Sequence, residues 1–126
     1  MINIPVSLGE LIDKISILLI KQVKIKEKIQ LLSIKKELSY LNKILDKQIK
    51  KKDAKNYLNK LKKINSKLWK IEDDIRDCER KKKFDENFIE LARSVYINND
   101  KRSEIKLDIN NYFGSTLIEV KSYEKY

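Results

Sequence analysis

The chain has 126 residues, 41% of them hydrophobic and 38% charged, which suits one domain with its own apolar core and excludes a disordered chain. Two Gly, one Pro and one Cys argue against β-sandwiches, β-barrels and a disulfide framework. The absence of His excludes a Ser-His-Asp triad and, with one Cys, leaves no ordinary zinc ligand set.

The net charge of +10 is unevenly distributed along the chain. Residues 1–70 carry 18 Lys and 6 Asp or Glu, a net charge of +12, whereas residues 71–126 have a net charge of −2. A basic half of this kind attracts nucleic acid, membrane surfaces or acidic proteins. No nucleic-acid-binding motif accompanies it, so we favour lysines on solvated helix faces and keep nucleic-acid binding as an alternative.

The N-terminal residues show neither the basic head nor the apolar run of a signal peptide. The longest apolar run, residues 17–20, is far too short to cross a bilayer. We therefore expect a cytoplasmic protein without a membrane span, and homo-oligomerisation is left open.

A capping box begins the first predicted helix. The Ser7 hydroxyl can accept a hydrogen bond from the amide of Glu10, whose carboxylate can return to the Ser7 amide. An apolar stripe follows, but its phase shifts around residues 30–33, where we expect a break. An unbroken helix over residues 7–49 would be about 60 Å long, which exceeds a compact domain of this size. The segment therefore forms two helices or one sharply bent helix.

The third predicted helix begins at Asp53 as N-cap and carries an apolar seam, in steps of three and four residues, up to Cys78. Because the thiol completes this seam, we expect it to be buried and inert. Asp85 caps the fourth helix, Asp100 is a candidate cap for a separate last helix, and Gly114 is a natural C′ residue. We expect the apolar tail that follows to pack back onto the bundle in extended form.

Together these elements predict an all-α fold. Neighbouring helices joined by short turns run antiparallel. No internal repeat or low-complexity linker divides the chain. We expect an antiparallel bundle of three to four long helices with a short extended C-terminal tail, in a single domain over residues 1–126.

The arginines indicate a candidate site. The chain has 25 Lys and 4 Arg, and all four Arg lie between Arg76 and Arg102. Where Lys is the habitual cation, an Arg indicates the need for a planar group that binds an oxyanion through two hydrogen bonds. Its partner is either an internal carboxylate, which we favour, or an anionic ligand.

Two helix faces can form this site where the third and fourth helices meet. Spacings of three and four residues place Trp69 and Arg76 on one face of the third helix, and Arg93 and Asp100 on one face of the fourth. Antiparallel neighbours set such faces opposite each other. The candidate binding residues are Asp13, Lys14, Trp69, Glu72, Asp73, Arg76, Arg93, Tyr96, Asn99, Asp100 and Arg102. We assign no catalytic residue, metal ligand or cofactor.

Three functions compete for these residues. We favour a non-enzymatic helical accessory module that binds an anionic small molecule or a partner protein. The second hypothesis is a magnesium-dependent enzyme acting on a nucleotide or sugar-nucleotide through Glu10, Asp13, Glu72 and Asp73, because paired carboxylates on helices can ligate Mg²⁺. Basic neighbours of these carboxylates argue against a bound cation. The third is a nucleic-acid binder that uses the Lys-rich first half.

Several blocks of the sequence resemble a known family. They are PVSLGELIDKISIL at residues 5–18, LWKIEDDIR at 68–76, FDENFIELARSVYINNDKR at 84–102, and the short motifs GS at 114–115 and KSY at 121–123. They are similar to the domain-of-unknown-function 6165 family of bacteria and their phages, over nearly the whole chain. The resemblance implies no established activity, but it implies an association with surface-polysaccharide synthesis and so with sugar-nucleotide or glycan-linked partners. The chain departs from the family near Glu27, where similar chains often carry a Pro.

Overall fold

The computed structural model describes residues 1–117 and 119–126, and within them the chain forms four α-helices and no strand. The helices are α1 (Leu8–Lys24), α2 (Lys28–Gln48), α3 (Lys51–Lys81) and α4 (Glu86–Phe113). The predicted all-α helical bundle is therefore confirmed. Among the described residues, no helix combines the length and the apolar character needed to cross a bilayer.

Helix α1 begins at the predicted cap and lies at the centre of the fold. Ser7 Oγ accepts a hydrogen bond from the Glu10 amide at 3.1 Å. The Glu10 carboxylate, which the capping box assigns to the Ser7 amide, pairs instead with Lys106 Nζ of α4 at 2.6 Å. Helix α1 contacts each of the other three helices, and Ile12 and Ile15 are almost completely buried. Because its neighbours surround it, several polar side chains of α1 are enclosed as well.

The break between α1 and α2 lies at residues 25–27, earlier than the predicted position at residues 30–33. Glu27 explains this position, because its carboxylate accepts hydrogen bonds from the amides of Ile29 and Gln30 at 3.1 and 2.7 Å. The prediction was wrong because it followed the apolar stripe, whereas the cap determines where α2 begins. Ile29 and Leu32 continue the apolar stripe of the first predicted helix, which led us to expect them on its buried face. Both are exposed.

We expect Glu27→Ala to lower the free energy of unfolding by about 1 kcal/mol, because the first amides of α2 lose their side-chain acceptor. Urea unfolding followed by circular dichroism measures the change. Lys28→Ala, a substitution at the exposed neighbouring position, is the control and should change this free energy by no more than about 0.5 kcal/mol. Equal stability of the two variants would show that the cap does not hold α2 in place.

Helix α3 begins slightly earlier than predicted. Its N-cap is Lys50, so Asp53 lies in the first turn and not at the cap. A carboxylate is favourable at either position, because both lie near the positive end of the helix dipole, and the sequence pattern does not separate the two. The apolar seam includes a buried Cys78, as predicted. Lys82 ends the helix in the left-handed conformation, with φ of 53°.

Helix α4 is continuous from Glu86 to Phe113, so the predicted second start at Asp100 is wrong. The polar run at residues 98–100 lies within this helix, where Asn98 is buried and its side-chain Nδ2 donates to the Ser94 carbonyl at 2.7 Å. Both predicted ends of the helix are confirmed. Asp85 caps its start, and Gly114 ends it with φ of 67°.

The main apolar cluster joins α1 and α2 to the first half of α3 and the end of α4. Leu61 and Ile109 are fully buried within it. Helices α3 and α4 have 31 and 28 residues, against 17 in α1, so the α3–α4 pair extends beyond α1. Leu68, Ile71 and Cys78 are buried but lie outside the main cluster. The ends of α3 and α4 that meet at the turn of residues 82–85 form a two-helix hairpin.

The tail runs back along α4 without helix or strand, but its apolar side chains are not buried as predicted. Tyr123 and Tyr126 are 78% and 79% exposed. Glu119 pairs with Lys106 of α4 at 2.9 Å, and the Tyr126 ring lies 5.0 Å from the ring of Tyr96. The α4 residues that face Lys121 and Tyr123 of the tail are polar or charged, and Leu107 of α4 stays 43% exposed, so charged contacts and not apolar burial attach the tail. Ile118, part of the predicted tail packing, lies outside the described residues.

Candidate functional site

A buried polar cluster lies where α1, α3 and α4 meet. Asp13 of α1 is 0% exposed, and its carboxylate accepts two hydrogen bonds from the Arg102 guanidinium of α4, one of them from Nε to Oδ1 at 3.0 Å. Asn65 Nδ2 of α3 donates to the same Oδ1 and to Ser16 Oγ, both at 2.8 Å. The Ser16 hydroxyl donates to the Asp13 carbonyl at 2.6 Å. Three helices are therefore joined around one carboxylate.

Arg102 connects this buried cluster to the surface. Its side chain is 27% exposed, whereas that of Asp13 is 1% exposed. The paired contact uses the Nε–H and one N–H of Nη2, two of the five donors of a guanidinium. Within residues 1–117 and 119–126, the remaining donors of Arg102 have no protein acceptor. The hydrogen bond to Asp13 raises the pKa of Arg102, so the group stays cationic at any physiological pH.

Lys106, one turn further along α4, lies between two carboxylates. Its side chain is 10% exposed, and its Nζ lies 2.6 Å from Glu10 Oε2 and 2.9 Å from Glu119 Oε2. Burial by itself would lower the pKa of Lys106, but the hydrogen bonds to the two carboxylates outweigh burial and raise that pKa. A charged ammonium is thereby held in a nearly buried position.

Glu119 bridges two lysines. Its Oε1 lies 2.7 Å from Lys121 Nζ, and its Oε2 contacts Lys106. The hydrogen bonds from Lys121 and Lys106 lower the pKa of Glu119 from 4.5 to about 2. Because the folded-state pKa is lowered, this contact stabilises the folded tail fully above pH 4.5 and loses its effect as the pH falls toward about 2. The carboxylate is fully ionised at neutral pH.

A cleft of about 200 Å³ lies between α4 and the tail. Further grooves along the same tail share Ser103 and Lys121 with it. The cleft is smaller than the roughly 300–1,000 Å³ of a site for a drug-sized molecule, so it suits a small polar group. Its lining residues are Asn99, Asp100, Arg102, Ser103 and Lys106 of α4, with Lys121 and Tyr123 of the tail.

Part of the predicted binding set comes together at this cleft. Asn99, Asp100 and Arg102 line it, and Asp13 lies directly behind Arg102. Lys14 follows Asp13 in the sequence but is exposed on α1, where it pairs with Glu37 of α2 at 3.5 Å. Adjacent positions of one helix thus lie in the interior and on the surface.

The rest of the predicted set lies on α3 and α4 but does not line the cleft. Arg76 pairs with Glu72, and Arg93 pairs with Glu90 at 3.2 Å. Both are exposed pairs within a single helix, which contribute little to stability, and neither crosses between α3 and α4. Trp69 of α3 is half-buried. Asp73 of α3 and Tyr96 of α4 are exposed.

The cleft and the buried cluster behind it also contain residues outside the predicted set. Lys106 follows Arg102 by four residues and so shares its face of α4, a signal that the sequence does carry. Asn65, which donates to Asp13, is spaced from Trp69 by four residues in the same way. Glu119 and Lys121 carry no comparable signal, because their role depends on where the tail crosses α4.

The carboxylates of the magnesium hypothesis do not form one cluster. Asp13 and Glu10 pair with cations of α4, whereas Glu72 and Asp73 are exposed on α3. In the described part of the chain, no three or more His, Cys, Asp or Glu side chains are grouped so that they could hold a metal ion.

Comparisons with protein-family models, with curated proteins and with solved structures found no match to this chain. The resemblance to the domain-of-unknown-function 6165 family therefore stays a prediction that depends on the sequence blocks themselves.

Proposed function

We propose that the protein is a non-enzymatic binding module that takes an anionic ligand into the cleft between α4 and the tail. One observation carries the proposal: Arg102 lines the cleft while the fully buried carboxylate of Asp13 holds its guanidinium in place. A guanidinium fixed in this way loses little conformational entropy when a ligand binds. Lys106 and Lys121 bring two ammonium groups to the same cleft.

The residues of the cleft favour an oxyanion attached to a polar body. Guanidinium and ammonium groups form strong charge-assisted hydrogen bonds with carboxylates and phosphates. Asn99 and Ser103 offer neutral hydrogen-bonding groups, and Tyr123 offers an aromatic ring. Sugar acids and sugar phosphates combine an oxyanion with hydroxyls that such groups recognise. The polysaccharide context implied by the family resemblance supports the same class of ligand.

The other two hypotheses have less support. An Mg²⁺ site needs carboxylate oxygens free to ligate the ion, whereas those of Glu10 and Asp13 are engaged by Lys106 and Arg102. A nucleic-acid binder that relies on the lysines of residues 1–70 would lose about 10³-fold or more in affinity between roughly 50 and 200 mM salt. A site that depends on one positioned Arg predicts a much weaker dependence on salt.

We expect Arg102→Lys to weaken the binding of an oxyanion at least about tenfold, because an ammonium keeps the charge but loses the planar pair of donors. Calorimetric titration of wild type and variant with sodium glucuronate, sodium phosphate and a nucleoside-diphosphate sugar measures the effect. Circular dichroism verifies that the variant is folded. Lys121→Ala, in the exposed tail, should also weaken binding and tests the cleft independently of the buried cluster.

Arg93→Lys is the matched control, since Arg93 is exposed and pairs with a carboxylate of its own helix. It should bind each probe as wild type does. Binding that is unchanged in Arg102→Lys and in Lys121→Ala, or an equal loss in Arg93→Lys, would contradict the proposed site.

A further inference from the structure

The Glu119 carboxylate is bound in the way that an oxyanion ligand would be bound. One of its oxygens lies 2.7 Å from Lys121 Nζ and the other 2.9 Å from Lys106 Nζ. Each oxygen therefore has its own ammonium donor, which is the geometry of a bridging carboxylate or phosphate. Both lysines line the cleft next to Arg102.

The charges around the cleft indicate that a ligand must replace this carboxylate. Three cations, Arg102, Lys106 and Lys121, face four carboxylates: the buried Asp13 and the partly exposed Glu10 of α1, Asp100 on the wall, and Glu119 on the tail. An added anion would therefore meet surroundings that are already net negative. If Glu119 leaves, one incoming anionic group restores the present balance.

We propose that the position between Lys106 and Lys121 is the subsite for the ligand's oxyanion, a carboxylate or a phosphate, and that Glu119 occupies this subsite in the free protein and leaves it when the ligand binds. The inference rests on the proposed function, because it concerns the same cleft. Glu119 then acts as an internal competitor that sets the ligand affinity.

The two sides of this contact differ in how firmly the fold holds them. Lys106 is nearly buried and keeps its contact with Glu10 when Glu119 departs. The tail exposes Val120, Tyr123 and Tyr126, so lifting it from α4 uncovers little apolar surface. The contact between the Tyr126 and Tyr96 rings can hold the end of the tail while the Glu119 segment moves. The lysine of α4 is thus fixed, and the carboxylate of the tail is the exchangeable partner.

The test is the affinity of Glu119→Gln for sodium glucuronate and, separately, for sodium phosphate at constant ionic strength. If Glu119 holds the subsite about nine-tenths of the time, its removal should tighten binding about tenfold. The probe whose binding tightens identifies the oxyanion as carboxylate or phosphate. In the wild-type protein, saturation with that probe should move the amide NMR signal of Glu119 toward its random-coil value, whereas the signal of Tyr126, whose ring contacts Tyr96, should change little.

Glu124→Gln is the control, because it removes another tail carboxylate and leaves Glu119 in place. It should bind as wild type does. Wild-type binding without tightening in Glu119→Gln, or equal tightening in Glu124→Gln, overturns this inference and leaves the proposed function intact. Failure of both probes to bind wild type and Glu119→Gln overturns the proposed function, and the inference with it.

Discussion

Asp13→Ala should lower the free energy of unfolding by about 3 kcal/mol. The substitution leaves the Arg102 guanidinium without its paired acceptor and removes one of the two acceptors of Asn65 Nδ2. An ion left without its partner inside a protein costs about 3–5 kcal/mol, and the partial exposure of Arg102 places this case at the lower end. Urea unfolding followed by circular dichroism measures the loss.

Two further variants separate the charge effect from a general loss of packing. Lys14→Ala removes the exposed neighbour of Asp13 and should change the free energy of unfolding by less than about 1 kcal/mol. The double variant Asp13→Ala with Arg102→Met should be more stable than Asp13→Ala, because no charge remains without a partner. A double variant less stable than the single one would show that the ion pair does not account for the loss.

Gly9→Ala should force α1 and α4 apart where they approach most closely. A Cβ atom at this position would lie 2.5 Å from the backbone oxygen of Lys106 and 3.0 Å from Asn110 Oδ1. A backbone carbonyl cannot rotate away, so the helices must separate and strain the hydrogen bond from the Gly9 amide to Asn110 Oδ1, now 2.7 Å long. Overpacking and a weakened hydrogen bond, partly offset by the helix propensity of Ala, should cost about 2–3 kcal/mol.

The same displacement shifts Lys106, so Gly9→Ala should also weaken oxyanion binding under conditions where the variant is fully folded. Gly114→Ala is the matched control. Among the described residues, no atom lies within 4 Å of a Cβ built there, but φ is +67°, so the expected cost is only about 1 kcal/mol of backbone strain. Thermal unfolding that is the same for the two variants would contradict the close contact between α1 and α4.

The arginines show how far a site can be predicted from sequence. Their scarcity indicated specific placement, and the favoured pairing with internal carboxylates is found for each of them. Arg76 and Arg93 have partners within one turn of their own helices, whereas the partner of Arg102 lies 89 residues away. Helical periodicity places a residue on a face, but it does not give the distance to a residue on another helix.

The tail illustrates the same limit. Its apolar side chains predicted burial, yet Tyr123 and Tyr126 are exposed and charged groups attach the segment. The sequence does not mark Glu119 as different from the other charged residues, and Lys121 is distinguished only by the KSY motif of the family resemblance. Their role follows from the place where the tail meets Lys106, which depends on the packing of α4 against α1.

The sequence by itself determined the all-α class, the helix starts at Ser7 and Asp85 and the helix end at Gly114. These features depend on hydrogen bonds between residues a few positions apart and on apolar periodicity, and a short stretch of sequence contains both. Only the tertiary structure decided that Asp13 meets Arg102 and that Glu119 meets Lys106. Such contacts join elements that are distant in the chain, and the packing of α1 against α4, which no local pattern encodes, brings them within hydrogen-bonding distance.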